Sequence, residues 1–161
     1  MSSSRGFTLV ELMVVLVIAG VLVGFSMPGA MKYRSTMTHV KARQMVREDI
    51  ISARQSAITR HVPVYVRFGT PPTNTNITSY RIHIDTNGDG AVTTGELNDL
   101  RNLPSGTRLS LVSLTPVDTI AFITTGLLRP GTGGGQLIVN SPSSGRTDTL
   151  LVSAAGMVYV P

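Results

Sequence analysis

The sequence predicts an α+β fold in which one long N-terminal helix precedes an antiparallel β-sheet domain. Three observations predict this order. Residues 7–27 form one apolar run, and residues 31–60 continue it without proline or glycine, with apolar residues at helical spacing. After His61 the apolar residues alternate with other residues, as they do in half-buried strands. A sheet that follows a single helix packs against the C-terminal half of that helix.

The apolar run 7–27 has the length of a membrane span. As a helix it would rise roughly 31 Å, which matches a hydrocarbon core of about 30 Å. A secretory signal peptide carries a shorter apolar region of about 7 to 15 residues before its cleavage site. The run therefore predicts a single-pass membrane anchor.

Glu11 is the one charged residue in this run. A carboxylate within a bilayer is costly and calls for a cationic partner. The run contains no lysine or arginine, because Arg5 precedes it and Lys32 follows it. The partner must therefore be a newly created charge or belong to another chain.

The residues around Glu11 resemble a known processing signal. The sequence RGFTLVEL, residues 5–12, followed by an apolar helix resembles the class III signal of type IV pilins and type II secretion pseudopilins. The resemblance implies that a prepilin peptidase cuts between Gly6 and Phe7 and methylates the new N terminus. It also implies that the freed amine of Phe7 faces Glu11 of a neighbouring subunit, which would pair the buried charge.

The resemblance divides the chain into four parts: a cleaved leader (1–6), a transmembrane and assembly helix (7–28), an amphipathic continuation (29–60) and a β-rich domain (61–161). Pro28 interrupts helical hydrogen bonding, and Gly20 and Gly24 weaken the same stretch. Close helix packing in the membrane would explain the glycines. The resemblance favours a flexible joint that serves assembly.

The continuation 29–60 carries two apolar stripes, which predict two neighbours. One neighbour is the chain's own sheet and the other is a helix of an assembly, although a helix deep in its own fold would show the same pattern. The first stripe is Tyr33, Met37, Val40, Ile51 and Ile58, and the second is Val46, Ile50, Ala53 and Ala57.

Alternation and turn residues predict the strands of the β-rich domain. They are centred on Val62 to Arg67 and Tyr80 to Ile84, and on residues 108–114, 119–123, 136–140, 149–153 and 157–160. Three short runs, one at the end of the predicted helix and two in this domain, resemble the minor pilin domain of the GspH/FimT type: ARQSA at 53–57, TIAF at 119–122 leading to Gly126, and SAAGMV at 153–158. This resemblance implies a pilin fold and a minor subunit that initiates or caps a filament.

Residues 85–96 read DTNGDGAVTTGE and fit the spacing DxNxDGxxxxxE of a calcium-binding loop. The expected Ca²⁺ ligands include the side-chain oxygens of four residues: Asp85, Asn87, Asp89 and Glu96. Ala91 would add its carbonyl oxygen, and Thr93 its hydroxyl or a bridging water. A strand precedes the loop where an EF-hand has a helix. The alternative is a hairpin turn, for which Asn-Gly and Asp-Gly are preferred.

Composition argues against an enzyme. The chain has no cysteine, no GxSxG elbow and no phosphate loop before a helix, and His39, His61 and His83 lack metal-binding spacing. The net charge is +5, from 14 basic and 9 acidic residues. This bias leaves DNA binding open as an alternative if four arginines converge: Arg101, Arg108, Arg129 and Arg146.

The sequence therefore predicts a structural pilin or pseudopilin subunit, held in the bacterial inner membrane with its domain outside the cytoplasm. Its partners would be other pilin subunits and prepilin peptidase. The charges flanking the apolar run favour the opposite orientation, because five basic residues follow it and only Arg5 precedes it. A cytoplasmic leader is nevertheless required by the peptidase. A membrane-tethered, calcium-dependent adhesion module is a further alternative.

Overall fold

A computed structural model describes residues 7–69, 76–112, 114 and 118–161, apart from the side chains of 26–31 and 112. Within these residues one helix precedes eight strands. The elements are α1 (Leu9–Arg60), β1 (Val64–Phe68), β2 (Ser79–Ile84), β3 (Leu97–Asn102), β4 (Arg108–Val112), β5 (Thr119–Phe122), β6 (Gly135–Ser141), β7 (Arg146–Val152) and β8 (Val158–Tyr159). This order confirms the predicted α+β fold.

The strands form two four-stranded sheets. The first sheet has the order β3-β2-β1-β5, and the second has the order β4-β6-β7-β8. Every strand pair within the described residues is antiparallel. A bridge between Ile77 and Leu109 joins the segment before β2 to β4.

The chain divides into two compact units, Met1–Arg34 and Ser35–Pro161. In the second unit one stripe of α1 is fully buried at helical spacing and forms the core with both sheets. This stripe comprises Ala42, Val46, Ile50, Ala53 and Ala57. Met37, Ile51 and Ile58 of the other predicted stripe are exposed. The prediction that α1 presents one apolar stripe to its own domain and another outward is therefore confirmed.

Tyr80 ties the first sheet to the helix. Its hydroxyl donates a hydrogen bond of 2.6 Å to Oδ2 of Asp49 on α1. Burial, together with the Asp49 carboxylate, raises the pKa of Tyr80 above its usual value, so the hydroxyl keeps its proton. The face of β2 that carries Tyr80 thus faces α1.

The strand predictions hold wherever apolar alternation is strong and fail at the edges. β3 was not predicted, because Leu97 and Leu100 are both exposed and the strand has no alternation. β7 begins at Arg146 instead of 149, and β1 begins after Pro63. The predicted turn at 70–72 and residue 113 of the predicted strand 108–114 lie outside the described residues.

Within the described residues, no helix is both long enough and apolar enough to cross a membrane. The predicted span 7–28 includes residues 26–28, whose side chains lie outside the described part. Pro28 lies within α1, which is assigned as one continuous helix. The flexible joint at this position stays a prediction.

Candidate functional site

The start of α1 is capped by Thr8. The amide of Glu11 donates to Oγ1 of Thr8 at 3.3 Å, and the amide of Leu12 donates to the Thr8 carbonyl at 3.2 Å. Thr8 and Glu11 have the T-x-x-E spacing of a capping box, a signal that sequence reasoning missed. Glu11 therefore also stabilises the helix from its first turn, where the positive end of the dipole lies. Gly6 lies outside the described residues.

The first part of α1 is apolar on all sides. The large apolar side chains between Leu9 and Phe25 are 52% to 83% exposed, on every side of the helix. Within the described residues the Glu11 carboxylate makes no hydrogen bond or ion pair. An apolar helix of this kind needs lipid or other helices around it. The segment is thus a surface for partners outside this chain.

The three short runs that resemble the GspH/FimT domain meet in the folded chain. Nε of Arg54 donates to the Gly126 carbonyl at 2.8 Å. A Cβ placed on Gly156 would lie 2.9 Å from that carbonyl oxygen and 2.9 Å from the ring of Phe122. Gly126 and Gly156 both have positive φ angles, 77° and 73°. These residues form a close-packed junction between α1, β5 and the C-terminal segment.

The 85–96 loop connects β2 to β3, so it is the connection of a β-hairpin. Asp85 is fully buried, and its two oxygens accept hydrogen bonds from the amides of Gly88 (2.6 Å) and Gly90 (2.8 Å). The side chains of Asn87 and Asp89 each accept the amide two residues further on, at 2.9 and 2.7 Å. These local turns give the loop a defined backbone path.

Glu96 closes the loop. Its Oε1 accepts the Thr86 amide at 2.9 Å, and its Oε2 accepts the Thr93 amide at 2.9 Å. Oε2 also lies 3.0 Å from Nε2 of His83, and both of these side chains are almost completely buried. The Thr93 amide, followed by His83, holds the pKa of the Glu96 carboxyl well below its usual range. An ionised Glu96 therefore ties the loop to the sheet.

His83 alternates with the core residues Ile82 and Ile84 on β2, yet its own side chain is also buried. The ring of His83 stacks on Tyr65 with centroids 5.7 Å apart, and Glu96 covers it from the loop. The loop folds back over this face of the sheet. A contact between residues that are distant in sequence cannot be read from alternation.

Most of the predicted calcium ligands already accept hydrogen bonds from other groups of the loop. Among the described residues, no three histidine, cysteine, aspartate or glutamate side chains are grouped so that they could hold a metal ion. Oγ1 of Thr93 accepts a hydrogen bond from the Asn87 amide group at 3.1 Å. Calcium binding through Asp85, Asn87, Asp89, Ala91, Thr93 and Glu96 stays a prediction.

The four arginines considered for DNA binding belong to different elements: Arg101 lies on β3, Arg108 on β4 and Arg146 on β7, and Arg129 lies between β5 and β6. Arg101 is bound by Asp49 and Asp99, Arg108 by Asn76, and Arg129 by Tyr65, while Arg146 begins β7.

Comparisons with known proteins match both parts of the chain. Residues 1–27 match the model of the prokaryotic N-terminal methylation motif, and residues 42–156 match the model of the type II transport protein GspH. A search of curated proteins finds no match.

Two solved structures share the fold. The type IV minor pilin FimU of Pseudomonas aeruginosa is 15% identical with a TM-score of 0.54, covering 75% of this chain and 90% of FimU. The minor pseudopilin EpsH of the Vibrio cholerae type 2 secretion system is 12% identical with a TM-score of 0.53, covering 76% of this chain and 94% of EpsH.

Proposed function

Because this chain belongs to the GspH family and is a structural pilus or pseudopilus subunit, we propose that prepilin peptidase cuts it between Gly6 and Phe7 before assembly. The cut removes residues 1–6 and leaves the amine of Phe7 next to the start of α1. Methylation of that amine keeps its positive charge. The mature chain then enters the filament through α1, as a minor subunit that initiates or caps it.

The exposed apolar segment of α1 carries this proposal. Its large apolar side chains between Leu9 and Phe25 are more than half exposed, and the Glu11 carboxylate makes no hydrogen bond or ion pair with the described residues. The amine of Phe7 from a neighbouring subunit would supply the missing positive charge. Removing one member of a buried pair costs about 3 to 5 kcal/mol, so this contact would select subunits that have been processed.

Before assembly, the same segment would hold the chain in the inner membrane, with residues 61–161 outside the cytoplasm. The apolar run 7–28 has the length for this role, and lipid would cover the side chains that the chain leaves exposed. The leader then faces the cytoplasm, where the peptidase acts. Lipid and neighbouring helices would therefore be successive environments of one surface.

Co-expression with a prepilin peptidase tests the processing step. We expect the mass of the membrane-extracted chain to fall by residues 1–6 and to rise by one methyl group, and Gly6→Leu to remain at full length. Gly20→Ala is the control, since a Cβ added at Gly20 would meet no described atom within 4 Å outside the neighbouring helix backbone, and Gly20 lies in the same apolar run. A chain whose mass is the same with and without the peptidase would contradict the proposal.

We also propose that the 85–96 loop binds Ca²⁺ weakly, with a Kd of about 10⁻⁴ to 10⁻³ M as in extracellular modules. The spacing of its oxygen-bearing residues supports this proposal, and so do the local turns at Asp85, Asn87 and Asp89. Glu96 would exchange the Thr93 amide and His83 for the ion. Calcium would thus compete with an existing interaction, which lowers its affinity.

A thermal melt of the full chain in detergent micelles tests calcium binding. At about ten times the Kd, calcium should raise the free energy of unfolding by about 1.4 kcal/mol, which corresponds to about 4 °C in Tm. Asp89→Asn removes one ligand charge at nearly constant shape and should reduce the increase. Asp99→Asn, an exposed carboxylate on β3, should respond like the parent chain. Equal Tm values in calcium and in chelator would exclude the site.

A further inference from the structure

The first sheet has an outer face that points away from α1. Successive side chains of a strand point to opposite faces of the sheet. Because Tyr80 of β2 faces α1, the next residue, Arg81, belongs to the opposite face. In the antiparallel register Arg81 is paired with Arg67 of β1, and Arg67 is paired with Thr119 of β5. Paired residues share a face, so Arg67 and Arg81 lie side by side on the outer face.

A third arginine joins them from outside the sheet. Nη1 of Arg129 donates to the hydroxyl of Tyr65 at 2.7 Å, and the Arg67 guanidinium carbon lies 5.3 Å from the centre of the Tyr65 ring. Both arginines also lie against Gly90 of the loop. Arg67, Arg81 and Arg129 form what we call the arginine cluster.

The arginine cluster has no internal counter-charge. Within the described residues none of its members takes part in an ion pair. The Arg67 guanidinium donates to the Gly90 carbonyl, and the Arg81 guanidinium makes no hydrogen bond with the described residues. Two like charges directly opposite each other on adjacent strands destabilise a sheet. The fold itself therefore gains nothing from this pair.

The nearby carboxylates leave the cluster with an excess of positive charge. Asp118 lines the pocket beside Arg67 and Arg129, and its carboxylate accepts the Thr119 hydroxyl at 3.1 Å. Glu96 also lies on this face, but its oxygens are committed to loop amides and to His83.

The pocket at the cluster has a volume of about 310 Å³. Hydroxyl groups of Thr119 and Thr132 line it together with the two guanidinium groups. Guanidinium groups form bidentate hydrogen bonds with carboxylates and phosphates. The hydroxyls of Thr119 and Thr132 already donate to Asp118 and to the Arg129 carbonyl, so the available donors belong to the guanidinium groups. The pocket thus offers donors that suit an oxyanion.

We propose that the arginine cluster binds the carboxylates of an acidic segment on a protein partner. Leu100 lies in the same row as Arg81 and is 45% exposed, so an apolar contact adjoins the charges, as in protein interfaces. Nucleic acid fits less well. The ring of Tyr65 is buried between Arg67 and His83, which leaves it no free face for base stacking.

Binding of a fluorescent polyglutamate peptide to the full chain in detergent micelles tests this proposal. Arg81→Gln should weaken binding about tenfold, since it removes a charged hydrogen-bond donor. The same variant should leave Tm unchanged or raise it, because the repulsion from Arg67 is relieved. Arg146→Gln is the matched control, with the same change in charge on the second sheet, and should stay within about twofold of the parent chain.

Four results would overturn the proposal. The first is that the parent chain does not bind polyglutamate at low salt. The second is that both variants weaken binding equally, which would mean that only net charge acts. The third is that Arg81→Gln lowers Tm, which would make Arg81 a structural residue. The fourth is that a single-stranded oligonucleotide binds more tightly than polyglutamate at equal salt and Arg81→Gln removes that binding, which would make the partner a nucleic acid.

Discussion

Replacing Glu11 with alanine is expected to remove the chain from filaments while residues 35–161 remain folded. The residues that α1 contributes to that domain's core lie between Ala42 and Ala57, far along the helix from Glu11, so the substitution removes none of them. In the filament the variant leaves the Phe7 amine of a neighbour unpaired in an apolar environment. The cost of about 3 to 5 kcal/mol corresponds to a loss of about 100-fold or more in incorporation. Immunoblots of sheared filaments and of membranes measure the ratio.

Two further variants separate the charge of Glu11 from its other roles. Glu11→Gln keeps a side chain suited to the capping box at Thr8 but removes the charge, and it should fail as alanine does. Glu48→Ala removes an exposed carboxylate elsewhere on α1 and should assemble normally. Normal incorporation of Glu11→Gln would show that capping, and not pairing, is the role of this residue. A membrane-tethered adhesion module would function with either variant.

Gly156→Ala is expected to lower the free energy of unfolding by about 2 to 5 kcal/mol. Part of the cost arises because a residue with a Cβ disfavours the φ of 73° by about 1 to 2 kcal/mol. The rest arises because the new Cβ would lie 2.9 Å from the Gly126 carbonyl and from the ring of Phe122, and overpacking costs about 1 to 3 kcal/mol. Thermal melts of the full chain in micelles should show a Tm lower by about 10 °C.

Gly131→Ala is the matched control for that prediction. Gly131 has a similar φ of 87°, but a Cβ there would meet nothing within 4 Å. It should cost about 1 to 2 kcal/mol, from the backbone alone. Equal Tm values for the two variants would show that the junction of Arg54, Gly126 and Gly156 tolerates an added methyl group, contrary to its close packing.

The long helix and most strands could be predicted because their signals are local. The run 31–60 has no proline or glycine and shows helical spacing, and α1 ends at Arg60 as expected. The strands with buried apolar alternation, such as β1 and β2, were also predicted. β3 was not predicted because it is an edge strand whose Leu97 and Leu100 are exposed to solvent. Its sequence therefore shows no alternation of apolar and polar residues.

The candidate sites were predictable only in part, because they depend on contacts between distant residues. The spacing of residues 85–96 identifies the loop, but it does not reveal that Glu96 is bound by His83 from the preceding strand. The pairing of Arg67 with Arg81 depends on the register of β1 and β2, which alternation alone does not set. Glu11, by contrast, stands out from sequence alone, because a charge inside an apolar run is unusual wherever it occurs.

Entry of this chain into a filament after cleavage before Phe7 can be tested by mass spectrometry of its N-terminal peptide, recovered from sheared filaments. We expect a peptide that begins at Phe7 and carries one added methyl group. A filament-derived peptide that begins at Met1 or at any residue other than Phe7, or a chain found in membranes but never in filaments, would contradict it.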